Sequence, residues 1–181
     1  MSGIGNGASL RMAMAAVLLA LPGATQAANF DTFLRGFEHC AFSPAFGTFR
    51  ETMEERYEND YQSTATQDVA SVTVVVPANV AAGVGAVRSV NRGSHTQAIV
   101  PLEGTFRGLA VQEIEFIWGN RNGLYSATLR FKADQATVRA KLGRAIDKGN
   151  AALAKNHTGD EFKYIFPAPG AGGVVFCDYS V

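Results

Sequence analysis

The sequence predicts an α+β domain, an antiparallel sheet of about six strands with helices packed on one face. Three observations carry this. Three consecutive segments between residues 96 and 131 alternate apolar and polar residues with period two, the mark of strands with one buried and one wet face. Helical apolar stripes flank them on both sides in the chain. Short Gly- and Asn-containing connections join the strands, as antiparallel neighbours require.

The first 27 residues stand apart from that domain. Arg11 is their only charge, Met12–Leu21 is an unbroken apolar run, and Pro22-Gly23 ends it. Ten apolar residues are too few for a membrane-spanning helix, which needs about 20; an uncleaved N-terminal anchor is the lesser alternative. They match the apolar region of a secretory signal peptide. Thr25-Gln26-Ala27 places small residues at positions −3 and −1, so cleavage is expected after Ala27. Residues 1–27 are then the leader, and 28–181 form a single exported domain.

Asn29–Phe37 carries Phe30, Phe33, Leu34 and Phe37 at helical spacing, with Asn29 as a candidate N-cap. Thr48-Phe49-Arg50-Glu51 fits a capping box ahead of a second helix, Phe49 to about Tyr61, with Phe49, Met53 and Tyr57 on its apolar side. Glu54, Glu55 and Glu58 cover its opposite side and read as a solvated face rather than a catalytic carboxylate pair. Gln62–Gln67 is polar linker, and the β-branched run Val69–Val76 reads as a buried strand stopping at Pro77. Ala78–His95 reads as a long loop with room for one irregular turn of helix. Its Gly83-Val84-Gly85 lacks the third glycine and following helix of a phosphate cradle, and no Walker-type lysine motif occurs.

Thr96–Phe106, Val111–Trp118 and Leu124–Phe131 are the three clear strands, joined by Arg107-Gly108 and by Gly119-Asn120-Arg121-Asn122-Gly123. Asp134 caps a third helix with Val138, Leu142, Ala145 and Ile146 on one side, and Gly149 is the expected C′ residue. Asn150–Glu161 is a looser stretch, part helical and part loop. Phe162–Phe166 and Gly173–Tyr179 complete the sheet.

Two cysteines, Cys40 and Cys177, follow the leader. In the oxidising compartment that a leader implies, an isolated pair is expected to form a disulfide. A Cys-His nucleophile or a zinc site would compete with that bond, and neighbouring His39 is poorly placed to act as a base on Cys40.

Sixteen basic residues balance sixteen acidic ones, and losing Arg11 with the leader leaves one acid in excess. That balance argues against nucleic acid, which needs a Lys/Arg cluster. No second apolar stretch is long enough to span a membrane, so the exported domain is expected to be soluble. His39, His95 and His157 share no metal-ligand spacing, no G-x-S-x-G elbow occurs, and Ser94-His95 is a weak nucleophile signal. Glu103, Glu113 and Glu115 lie on strands, and the last two share a wet face, where solubility explains them. Asn156-His157-Thr158 is a glycosylation sequon that matters only in a eukaryotic source.

The richest binding chemistry lies at one hairpin tip, where Trp118, Asn120, Arg121 and Asn122 gather a large aromatic, a guanidinium and two amides. Trp118 taken alone reads more readily as a continuation of the Ile114 and Phe116 core face. No catalytic residue, metal ligand or cofactor is assigned. The expectation is a small exported binding protein, periplasmic or secreted, whose partner is another protein of the cell envelope, in the manner of an inhibitor or immunity protein. An envelope hydrolase whose catalytic residues meet only in the fold is the alternative.

Overall fold

A computed structural model describes residues 27–57, 75–120, 123–156 and 172–180. In chain order the elements are β1 (Ala28–Asn29), a 3-10 turn (Phe37–His39), α1 (Pro44–Tyr57), α2 (Ala78–Ala81), β2 (Arg88–Asn91), β3 (His95–Phe106), β4 (Leu109–Gly119), β5 (Tyr125–Phe131), α3 (Gln135–Asn156) and β6 (Gly173–Asp178). The fold is α+β, and the described residues build one six-stranded sheet in the order β1-β3-β4-β5-β6. Strands β1 and β2 share the outer edge of β3: β2 pairs with Thr96–Ile99, and β1 with Gly104 and Thr105.

The sheet is mixed rather than purely antiparallel, because β1 runs parallel to β3 while every other pairing is antiparallel. A parallel neighbour needs a long crossover rather than a tight turn. The chain between Asn29 and β3 supplies it.

Strands β3, β4 and β5 form where the alternation predicts them. Phe106 and Leu109 pair across a two-residue turn in which Arg107 and Gly108 both have positive φ, 51° and 74°. That is the pattern of a type I′ hairpin turn, whose twist matches the strands it joins.

The first predicted helix is not one. Phe30, Phe33, Leu34 and Phe37 are all buried as their spacing requires, but the backbone runs through turns into the 3-10 turn. Asn29 has joined the sheet, and Gly36 at φ 85° breaks the helical path. The Asn29 side chain accepts from the Asp31 N–H at 2.8 Å, a local turn and not a helix cap.

Helix α1 starts earlier than the capping box suggests. Ser43 Oγ accepts from the Phe46 N–H at 3.1 Å, and Pro44 takes the first helical position, where a missing N–H costs nothing. Thr48 lies inside the helix, its carbonyl accepting from Thr52 Oγ1 at 2.9 Å.

The expected loop 78–95 holds α2 and β2. Asp134 caps α3 as expected, accepting from the Thr137 N–H at 2.7 Å, but the helix continues through Gly149 to Asn156. Of the remaining expectations, most of Val69–Val76, all of Phe162–Phe166, Gln62–Gln67 and leader residues 1–26 lie outside the described residues. Val75 and Val76 are not in a strand.

The core is aromatic where α1 meets β4. Phe46 and Phe49 pack on Phe116, with centroids 6.1 and 5.8 Å apart, and Tyr57 stacks on Trp118 at 6.0 Å. Cys40 and Cys177 form the expected disulfide, joining residues 137 apart in sequence and tying the segment after the 3-10 turn to β6. Closing a loop of that length stabilises the fold by about 4–5 kcal/mol on chain-entropy grounds. Among the described residues no helix is long and apolar enough to cross a membrane.

Candidate functional site

Strand β4 sends Ile114, Phe116 and Trp118 into the core, so period two turns Glu113 and Glu115 to the opposite face. Register brings their partners. Glu113 lies directly opposite Arg130 of β5, Glu115 opposite Ile99 of β3 and Thr128 of β5, and Gln97 one step along β3. A bulge between Val111 and Glu113 shifts the β4–β5 register just before this cluster. Bulges commonly re-aim a side chain in this way.

The result is a connected polar group. Arg130 Nη2 donates to Glu115 Oε2 at 2.7 Å, and its Nε lies 3.4 Å from Glu113 Oε1. Gln97 Nε2 donates to Glu115 Oε1 at 2.8 Å, while Gln97 Oε1 accepts from Arg92 Nη2 at 3.2 Å. Glu115 is only 8% exposed, and both its oxygens are engaged. Such a buried carboxylate is tolerated because a guanidinium and an amide replace its lost water.

A cavity of about 450 Å³ opens over the group, lined by Gln97, Ile99, Gln112, Glu113, Glu115 and Arg130 with the Gly172–Val174 segment. A second, of about 420 Å³, also reaches Gln112 and is lined by Gly83, Gly85, Glu103 and Lys132. Both volumes fall in the range of ordinary ligand sites. Among the described lining residues of the two there is no histidine, serine, threonine or thiol. What the site offers is a fixed acceptor, a guanidinium fork and amides, the chemistry of polar recognition.

The turn end of the sheet adjoins it through Arg92. Asn120 donates from Nδ2 to the Gly93 carbonyl at 2.6 Å and from its N–H to the Ser94 carbonyl at 2.8 Å, fastening the β4 end to the β2–β3 turn. Trp118 is wholly buried between Phe116 and Tyr57. Arg121 and Asn122 lie outside the described residues. Among the four predicted contact residues, then, Trp118 is a core side chain and Asn120 braces the turn.

The nucleophile candidates stay apart. Ser94 Oγ lies 3.1 Å from His95 Nδ1 at an exposed turn. His39 Nδ1 faces the Ala145 carbonyl at 3.3 Å on the α3 side of the 3-10 turn, and His157 lies outside the described residues. No group of three or more His, Cys, Asp or Glu able to hold a metal occurs among the described residues. Sequence reasoning placed Glu113 and Glu115 on one face but missed Arg130 and Gln97. The available signal was that both occupy the same polar alternation on neighbouring strands.

No protein-family model matches the chain, and no curated protein or solved structure shows significant similarity to it.

Proposed function

We propose that this chain is a small exported binding protein, periplasmic or secreted, that recognises another protein of the cell envelope as an inhibitor or immunity protein would. We further infer that its helices cover the Ile114, Phe116 and Trp118 face of the sheet and leave the Gln97, Glu113, Glu115 and Arg130 face for the partner. The observation that carries this reading is Glu115, held between Gln97 and Arg130 in the lining of a cavity. A pre-fixed acceptor beside a guanidinium fork suits a polar side chain of a partner, because its geometry is set before binding. The disulfide, together with the leader-like N-terminus, supports an oxidising compartment.

The test is capture from the envelope fraction with the mature protein and with an Arg130→Met, Glu115→Gln variant in parallel. A partner retained by the first and lost by the second, with both proteins folded, is the expected result. Equal retention would remove this face as the contact.

The alternative, an envelope hydrolase, has one observation in its favour, the meeting of Glu113 and Glu115 beside a cavity. Both carboxylates, however, are engaged by the same guanidinium, which leaves neither free to act alone as acid or base. Under that reading Glu113→Gln would abolish a hydrolytic turnover that the parent protein displays.

A further inference from the structure

The predicted cleavage point, between Ala27 and Ala28, abuts the fold with no spacer. Ala27 is exposed and outside any strand, but Ala28 and Asn29 already form β1, paired with Gly104 and Thr105. The next residue, Phe30, donates its N–H to the Thr105 carbonyl at 2.8 Å, and its ring is wholly buried. The contact is close on two sides. A Cβ on Gly104 would lie 2.1 Å from the Ala28 carbonyl oxygen, and one on Gly83 would lie 2.6 Å from the Ala28 Cβ. Two glycines therefore make room for Ala28 and for the Phe30 ring behind it.

Proteolysis requires the residues flanking the scissile bond to leave other hydrogen bonds and extend along the protease, so it is governed by the burial and bonding of that backbone. Here both residues after the bond are held in the sheet, and Phe30 anchors them. Resting on the leader reading, we propose that the Ala27–Ala28 bond is a processing site accessible only before this domain folds. The leader is thus removed from an unfolded chain, and the domain is not delivered across the membrane as a folded cargo. Hydrolysis adds water across the bond, leaving a carboxylate on Ala27 and an ammonium on Ala28. Docking of β1 then places that new terminus at the sheet edge. The disulfide agrees with this order, since it joins Cys40 to a residue 137 positions later and so closes only once the C-terminal strand has emerged into the oxidising side.

The experiment uses the full 181-residue precursor in detergent with a purified bacterial signal peptidase. One sample is diluted from denaturant directly into the peptidase, and another is refolded and oxidised first. The expected result is cleavage of the first after Ala27 and slowing of the second by about tenfold or more, the protection that a modest local opening energy confers. A third precursor carries a short Gly-Ser spacer between Ala27 and Ala28, which leaves β1 and its glycines untouched. Refolded, with unchanged melting, it should be cut as fast as the unfolded parent. Equal rates for the folded and unfolded parent would overturn the proposal, as would a folded spacer precursor that stays protected. No cleavage of any sample would instead overturn the leader reading on which the proposal rests.

Discussion

The guanidinium of Arg107, at the tip of the β3–β4 hairpin, closes on the buried carboxylate of Glu38 beside the 3-10 turn, with Nη2 2.7 Å from Oε1. Glu38 is 4% exposed, and its second oxygen has no hydrogen-bond partner among the described residues. Arg107 also donates its N–H to Asp31 Oδ1 at 2.5 Å. These contacts fasten the N-terminal segment to the sheet.

Arg107→Gly separates the two roles of this residue. Glycine relieves the positive φ of 51° and keeps the N–H bond to Asp31, but it strands the Glu38 carboxylate. Removing one partner of a buried pair costs more than the pair contributes. Because Arg107 itself is 41% exposed, a loss of about 1–3 kcal/mol is expected in urea unfolding. On a Glu38→Gln background the same substitution should cost under about 1 kcal/mol. A neutral Arg107→Gly in the parent would show that the turn, and not the ion pair, holds the segment.

Gly149 gives an independent check of how α3 meets the 3-10 turn. A glycine ending a helix tolerates alanine poorly because of its φ, whereas one inside a helix normally gains about 1 kcal/mol from it. Gly149 lies inside α3, yet a Cβ there would fall 2.4 Å from the Cβ of His39. The overlap should outweigh the propensity gain, so Gly149→Ala is expected to destabilise by about 1–3 kcal/mol. Partial restoration by His39→Gly in the same chain, which removes the His39 Cβ but leaves its Cα 2.8 Å from the added one, read as the thermal midpoint, would assign the loss to that contact. A stabilised Gly149→Ala would contradict the packing.

These two positions show what the sequence could and could not reveal. Strands β3 to β5 were legible because one face of each is apolar and the other polar, so period two is written into Val100, Ile114, Phe116 and Leu129. The disulfide followed from the cysteine number and the compartment that the leader reading expects. Misjudged features depend on contacts between distant segments. Gly149 looks like a helix end until His39 is set against it. Asn29 looks like a cap until Thr105 offers it a strand. The Glu113, Glu115 and Arg130 cluster needs the cross-strand register, which a bulge has shifted and which no single segment records.

Tyr179 predicts a pH dependence. Burial pushes its hydroxyl from 10.0 up to about 12, against the lowering effect of the Arg50 guanidinium, which lies 5.2 Å from the ring centroid. The folded state thus holds this proton more tightly than the unfolded chain. Its contribution is fully present below about pH 10 and is lost as pH rises toward about 12. The loss is on the order of 2–3 kcal/mol, two pKa units at about 1.4 kcal/mol each. Urea midpoints measured across that window should fall more steeply for the parent than for Tyr179→Phe. Parallel curves would mean that Tyr179 ionises as easily in the folded protein as in the unfolded one.

The last prediction separates the sheet face from the hairpin tip as the contact surface. Trp118→Ala is expected to cost about 3–5 kcal/mol of stability, because the indole is wholly buried between Phe116 and Tyr57. Trp118→Phe should cost much less, since the indole Nε1 has no hydrogen-bond partner among the described residues. If Trp118 acts only through packing, Trp118→Phe leaves partner affinity unchanged. Asn120→Ala removes one bond from the turn and should loosen residues 92–95 without unfolding the domain. Its effect on affinity should be small beside that of Arg130→Ala, which removes the guanidinium at the cavity and frees Glu115. A loss of about tenfold or more is expected for Arg130→Ala, the scale for truncating one partner of a hydrogen-bonded charge pair at a contact. Titration of the captured partner against the three folded variants decides the matter. A larger loss with Asn120→Ala than with Arg130→Ala would return the contact to the hairpin tip.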